Sequence, residues 1–173
     1  MHTGGWWDGD GIKEHARRRA RYLALESLYE SETSRHDAMD ALGRRITELM
    51  EEDPSLIRRG ADAFSRATVE GVLETRDEAD ELIAVAAPKY PVSTLAVVDR
   101  NILRLAIWEL LTDTSAPVAA VVNEAVQLAH RYGGENSPGF VNGVLRTVSA
   151  TILTRLSAAA AAAADSEQST RGE

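Results

Sequence analysis

The chain contains no cysteine, which excludes a disulfide framework, thiolate nucleophiles and zinc–thiolate sites. Long apolar runs are missing too. No uninterrupted stretch approaches the roughly 18–20 residues that a bilayer-spanning helix requires. The opening residues Met1-His2-Thr3-Gly4-Gly5-Trp6-Trp7-Asp8 lack the cationic and apolar regions of a secretory signal, so a cytoplasmic protein without membrane contact is expected. No Gly-x-x-x-x-Gly-Lys-Ser/Thr loop occurs, and the N-terminal glycines precede no strand. The four histidines (His2, His15, His36, His130) lack metal-ligand spacing, and the carboxylates fall on helix faces that read as solvated. No catalytic constellation and no cofactor site is expected.

What the chain does have is apolar residues, 44% of its 173, enough for one domain or for two small sub-bundles sharing a core. The net charge of −8 argues against a protein that coats nucleic acid non-specifically. The charge is unevenly spread, however: residues 1–21 carry five Lys/Arg against three Asp/Glu. A small basic island on an acidic body can bind RNA locally, because salt limits the reach of distant carboxylates to about 8–10 Å.

Periodicity predicts helices throughout. Ala16, Ala20, Leu23, Ala24, Ser27 and Leu28 form a small-residue stripe over residues 14–31, and Ala38, Leu42, Ile46 and Leu49 mark a helix over 37–52 that Asp53-Pro54 stops. Residues 60–87 read as one long helix or two in tandem, ended by Pro88 and Pro91. Residues 93–112 are apolar on most sides, so that helix should be central. The next helix, opened by Pro117, has the core row Val118, Val121, Val122, Ala125, Leu128, Ala129 and Tyr132. Gly133 is expected to stop it in the left-handed conformation. Ser137 then caps, and Pro138 opens, a last helix with the core row Val141, Val144, Leu145, Val148, Ile152 and Leu156. No window alternates with period two. The fold is therefore expected to be all-α, with six to seven helices in two small packed bundles. A flexible arm spans 1–13, the helical domain 14–157, and an alanine-rich tail, disordered at its end, 158–173.

Two places could carry function. On a helical wheel Arg17, Arg18 and Arg21 share an arc of about 100° beside the small-residue stripe, with Arg19 across the helix. Arginine suits an RNA surface because its planar fork binds phosphate bidentately and stacks on bases. A solvated helix start is the plainer reading, yet the macrodipole disfavours cations in a first turn. The second place is the joint Tyr132–Phe140. Helix-start amides near Ser137 and Phe140 are expected to be unsatisfied donors that attract anions, and Phe140 could offer a ring for base stacking or serve as core. Asn123 and Asn142 read as buried amides locking two helices together, Trp108 as core, and Trp6 and Trp7 as weak candidates for stacking.

These residues resemble a known family. Arg17-Arg18-Arg19-Ala20-Arg21 with Ala24-Leu25 and Leu28-Tyr29, then Ile102-Leu103-Arg104-Leu105-Ala106 with Glu109-Leu110, are similar to motifs of the NusB family of transcription antitermination factors. So are Asn123-Glu124-Ala125 and Phe140-Val141-Asn142-Gly143-Val144-Leu145. The resemblance covers about residues 16–150. It implies two helical bundles without enzymatic activity that bind the single-stranded boxA element of ribosomal-RNA leaders together with NusE, a small-subunit ribosomal protein. The pair would help load an antitermination complex on RNA polymerase. Arg17, Arg18, Arg19, Arg21, Asn136, Ser137 and Phe140 would form the RNA surface, and Tyr29, Asp99 and Arg104 the RNA edge or the NusE contact.

Two positions depart from the family pattern: Gly139 stands where many relatives carry a lysine or arginine, and Ala119 where a lysine is often found. Fewer cations imply weaker RNA affinity, with more dependence on NusE or on self-association, since some members form homodimers. Two other readings remain open. One is a stand-alone relative of the non-catalytic N-terminal domain of ribosomal-RNA cytosine methyltransferases. The other is a dimeric protein–protein scaffold whose arginines meet an acidic surface.

Overall fold

Helix boundaries in the computed structural model, which describes residues 11–112 and 116–170, follow from local chemistry. The elements are α1 (Gly11–Ser34), α2 (Ala38–Glu52), α3 (Pro54–Arg58), α4 (Ala61–Glu74), α5 (Arg76–Ala86), a 3₁₀ turn (Val92–Thr94), α6 (Val97–Thr112), α7 (Val118–Tyr132) and α8 (Ser137–Thr170). No strand occurs among the described residues. Trp6 and Trp7 lie outside them.

The Asp37 carboxylate starts α2 by accepting from the amides of Met39 at 2.9 Å and Asp40 at 3.0 Å. Asp53 serves two helices. Its N–H donates to Leu49 O at the end of α2, and its carboxylate accepts from the Ser55 amide to start α3, with Pro54 in the first turn. The Ser55 bonds also hold the Asp53 carboxyl below the ordinary carboxylate range. Gly60, at φ 88°, makes the left-handed step into α4 that other residues resist. Residues 60–87 form two helices in tandem, divided at Thr75 (φ −94°, ψ 9°), whose hydroxyl donates to Gly71 O at 2.8 Å. The short α3 and this break account for eight α-helices among the described residues rather than six or seven.

Two apolar clusters fill the interior. Helices α1 to α4 enclose one, around Leu42, Leu49, Phe64, Val69 and Val72, and α5 to α8, with Leu25 of α1, enclose the other, around Leu82, Ile83, Leu128, Val141 and Leu145. Helix α6 belongs to both: Leu105 and Trp108 face the first, and Ile102, Leu103, Ala106, Ile107 and Leu110 the second. Every residue from Asn101 to Leu110 is buried, which is why that segment is apolar around its whole circumference. Phe64 meets the Trp108 indole edge-on, with ring centroids 6.2 Å apart.

Three expectations about the last helices are corrected. Gly133 is not left-handed: it is extended, at φ −89° and ψ −179°. Glycine is needed there for a close approach, since a Cβ would lie 2.6 Å from the Ser137 hydroxyl oxygen. Helix α8 also runs through the alanines to Thr170, so residues 165–170, expected to be disordered, are helical. Leu156, assigned to the core row, is 47% exposed because α8 has by then left the body. The alanines give residues 137–167 the length and composition of a membrane span. The first half of α8, however, supplies Val141, Val144, Leu145, Val148 and Ile152 to the core.

Candidate nucleic-acid interface

Of the arginine run, three side chains reach solvent and one does not. Arg17, Arg18 and Arg19 are half-buried, whereas Arg21 is 1% exposed. The expected patch of Arg17, Arg18 and Arg21 is therefore corrected. Arg21 points inward, where its Nε and Nη2 donate to the two Glu109 carboxylate oxygens at 2.6 and 3.0 Å, and Nη1 lies 3.8 Å from Glu124 Oε2. Its guanidinium also sits 5.3 Å from the centroid of the Phe64 ring. Burial works against the charge on Arg21, but the coulombic pull and hydrogen bonds of Glu109, then the pull of Glu124, outweigh it and raise the pKa. Glu109 and Glu124 are themselves buried, so these two carboxylates do not lie on solvated faces as expected. Two glutamates set among apolar core residues were the available sign that a buried cation must face them.

Arg18 is tied to the same network. Its Nε and Nη2 donate to Glu124 at 3.2 and 2.7 Å, a fork-on-fork pair that raises the Arg18 pKa while its side chain stays 42% exposed. An incoming phosphate would have to share this guanidinium with Glu124. Arg17 lies 6.0 Å from the Phe64 ring centroid, and Arg19 meets Glu52 at 3.4 Å on the surface.

The joint between α7 and α8 is more closed than expected. Gly134 N–H donates to the Ser137 hydroxyl at 3.0 Å, while Ser137 N–H donates back to Gly134 O at 3.1 Å. Phe140 N–H donates to Asn136 O at 3.1 Å, so Asn136 occupies the cap position expected for Ser137. The two amides read as unsatisfied are therefore both bonded. Ser137 is buried, Asn136 exposed and Phe140 half-buried, its ring edge-on to the exposed Tyr90 at 5.7 Å. Asn123, expected to be buried, is exposed on α7, and Asn142 is half-buried on α8. The arginine run lies on α1 and the joint between α7 and α8. Helix α7 runs between them, holding Arg18 through Glu124 and Glu26 of α1 through Tyr132.

The three partner-edge candidates separate as well. Arg104 is 4% exposed and doubly paired, to both Asp80 oxygens at 2.7 and 2.8 Å and to Glu32 at 2.8 Å, so it braces α6 against α5 and α1 and does not form an edge. Asp99 is half-buried, with Oδ1 buried and unbonded among the described residues. Tyr29 is 46% exposed on a hollow of about 380 Å³ shared with Leu25, Glu26, Val98 and Tyr132.

Tyr132 gives this region a pH limit. Its hydroxyl donates to Glu26 at 2.6 Å. Burial first, and then that bond, push the phenol from 10.0 up to about 12. A raised phenol pKa stabilises the fold fully below the unfolded value and loses that contribution as pH rises through the folded one. Thermal unfolding followed by circular dichroism should therefore show stability falling between pH 10 and 12. Tyr132→Phe should be less stable at neutral pH and should lack this alkaline fall. An equal fall in both proteins would refute the assignment.

Two helical bundles joined through α6, with three partly exposed arginines in the second and third turns of α1, are the frame of an all-helical binding protein. The chain belongs to the NusB family, whose model matches residues 18–150. Membership makes it a non-catalytic transcription antitermination factor. It is 44% identical over 135 residues to the transcription antitermination protein NusB of Herpetosiphon aurantiacus, covering 76% of this chain and 88% of that protein. It is 40% identical over 136 residues to NusB of Dehalococcoides mccartyi, covering 78% and 90%. Among solved structures, Thermotoga maritima NusB matches at a TM-score of 0.66 and 35% identity, over 77% of this chain and 89% of that one. A crystal structure of the antitermination factors NusB and NusE in complex with double-stranded RNA matches at 0.65 and 25% identity, over 79% and 98%.

Proposed function

We propose that this chain binds boxA-type single-stranded RNA of ribosomal-RNA leaders together with NusE and helps assemble an antitermination complex on RNA polymerase in the cytoplasm. One observation carries the reading: three partly exposed guanidiniums, Arg17, Arg18 and Arg19, are gathered in the second and third turns of α1, not in its first turn as expected, on an otherwise acidic protein. The relative solved with NusE and RNA supports the choice of partners. Asn136 and Phe140 at the joint are accessible enough to contribute, while Ser137 serves by shaping the turn. Tyr29 and its hollow, with Asp99 nearby in the chain order of α6, are the proposed NusE side.

Labelled boxA RNA titrated at several salt concentrations, with and without NusE, tests this. Three phosphate contacts at about 0.7 each predict a log–log slope near −2. Absence of binding at low salt with NusE present would refute it.

A further inference from the structure

Two hollows flank the first turn of α8 and meet at Gly139. One, of about 320 Å³, lies between the end of α5 and α8 and carries Lys89, Tyr90 and Phe140. The other is an open groove of about 750 Å³ between α7 and α8, walled by Val118, Val122 and Val126 and edged by Asn123, Asn142 and Arg146. Gly139 borders both, and a Cβ built on it would meet nothing within 4 Å, so the ridge between them is low and open.

Among the described residues neither hollow is lined by a carboxylate, in a chain that carries 27 of them and a net charge of −8. The hollows beside α1 differ: one is lined by Glu26 and Glu30, the other by Glu26, Glu30, Glu48 and Glu52. The described lining of the two hollows at Gly139 instead includes a cation, Lys89 in one and Arg146 in the other. Tyr90 is 56% exposed and edge-on to Phe140, which leaves ring surface open for stacking. In the groove the Arg146 Nε donates to Asn142 Oδ1 at 3.4 Å, which leaves the Asn142 amide nitrogen as a donor and the outer guanidinium nitrogens for a phosphate. Apolar walls, two amides and one guanidinium are what a nucleotide presents partners for: a flat face, base-edge acceptors and a phosphate. A docking protein helix would favour apolar edges as well as apolar walls, and Asn123, Asn142 and Arg146 make the edges polar.

We propose that the α7–α8 groove is a nucleotide subsite that carries single-stranded RNA onward from the joint across Gly139, with a base against the valine wall, its edge on Asn123 and Asn142, and its phosphate on Arg146. The proposal rests on the RNA-binding reading above and extends the RNA track beyond the joint.

The full chain with NusE is titrated with labelled boxA RNA and with the same RNA lengthened by a few uridines at either end. Wild type should bind a lengthened RNA more tightly, on the order of fivefold for one stacked and contacted nucleotide. Asn142→Leu and Arg146→Glu should each lose most of that gain while keeping affinity for the short RNA. The salt slope on the lengthened RNA should fall by about 0.7 in Arg146→Glu. A second readout uses the absence of cysteine: Ala119→Cys gives a single exposed thiol beside the groove, which the lengthened RNA should shield from maleimide. Wild-type affinity of both variants for both RNAs, with the thiol unshielded, would overturn the subsite and leave the boxA reading standing. Loss of NusE binding with RNA affinity intact would make the groove a protein-docking face and likewise overturn it. Failure of wild type to bind any of the RNAs would overturn both readings together.

Discussion

Arg21→Met should lower the melting temperature by roughly 6–20 °C in calorimetry. The substitution removes the cation from a buried pair and leaves Glu109 facing the core, a change that costs about 3–5 kcal/mol when one partner of such a pair is lost. A domain of this length loses about 2–4 °C per kcal/mol. The pair lies almost wholly out of water, with side chains 2% and 6% exposed, so no solvent screening softens the loss. The double variant Arg21→Met/Glu109→Leu should recover most of the stability, because apolar groups of similar volume replace buried pairs at little cost. The same experiment separates two roles. If Arg21 is structural, the folded fraction of Arg21→Met keeps the wild-type salt slope for RNA. An unchanged melting temperature with a shallower slope would return Arg21 to the RNA surface.

Gly71→Ala should destabilise by about 1–3 kcal/mol, against the usual sense of that change. In the interior of a helix alanine ordinarily gains up to about 1 kcal/mol over glycine. At Gly71 the added Cβ would fall inside the indole of Trp108. The indole has nowhere to move, since Phe64 stands against it and the rest of α6 is packed on both sides. Combining Gly71→Ala with Trp108→Leu should show strong coupling, the double variant losing less than the sum of the single ones in urea unfolding. Simple additivity would mean that the ring relaxes away without strain.

Much of the fold was legible because its signals are local. The apolar series over 93–112 marked a central helix, and α6 is shared by both clusters. The core rows of α7 and α8 are buried at Val121, Ala125, Leu128, Val141, Leu145 and Val148. What escaped was set by contacts distant in sequence. Arg21 and Glu109 are 88 residues apart, and a wheel drawn on α1 alone cannot show that α6 and α7 bring two carboxylates to that face. Arg104 misled in the same way, since Asp80 and Glu32 that neutralise it come from two other helices. At the joint the residue types pointed to the right turn but not to its geometry. Glycine at 133 answered to the Ser137 side chain rather than to a positive φ, a distinction invisible in the letters Gly-Gly.

Helix α6 is a wall that two rooms have in common. With Leu105 and Trp108 in one and Ile107 and Leu110 in the other, neither bundle keeps a complete core once α6 leaves. The halves are therefore expected to melt as one cooperative unit, with a single transition in calorimetry. A destabilising change in one bundle should thus draw on the stability that the other bundle shares through α6.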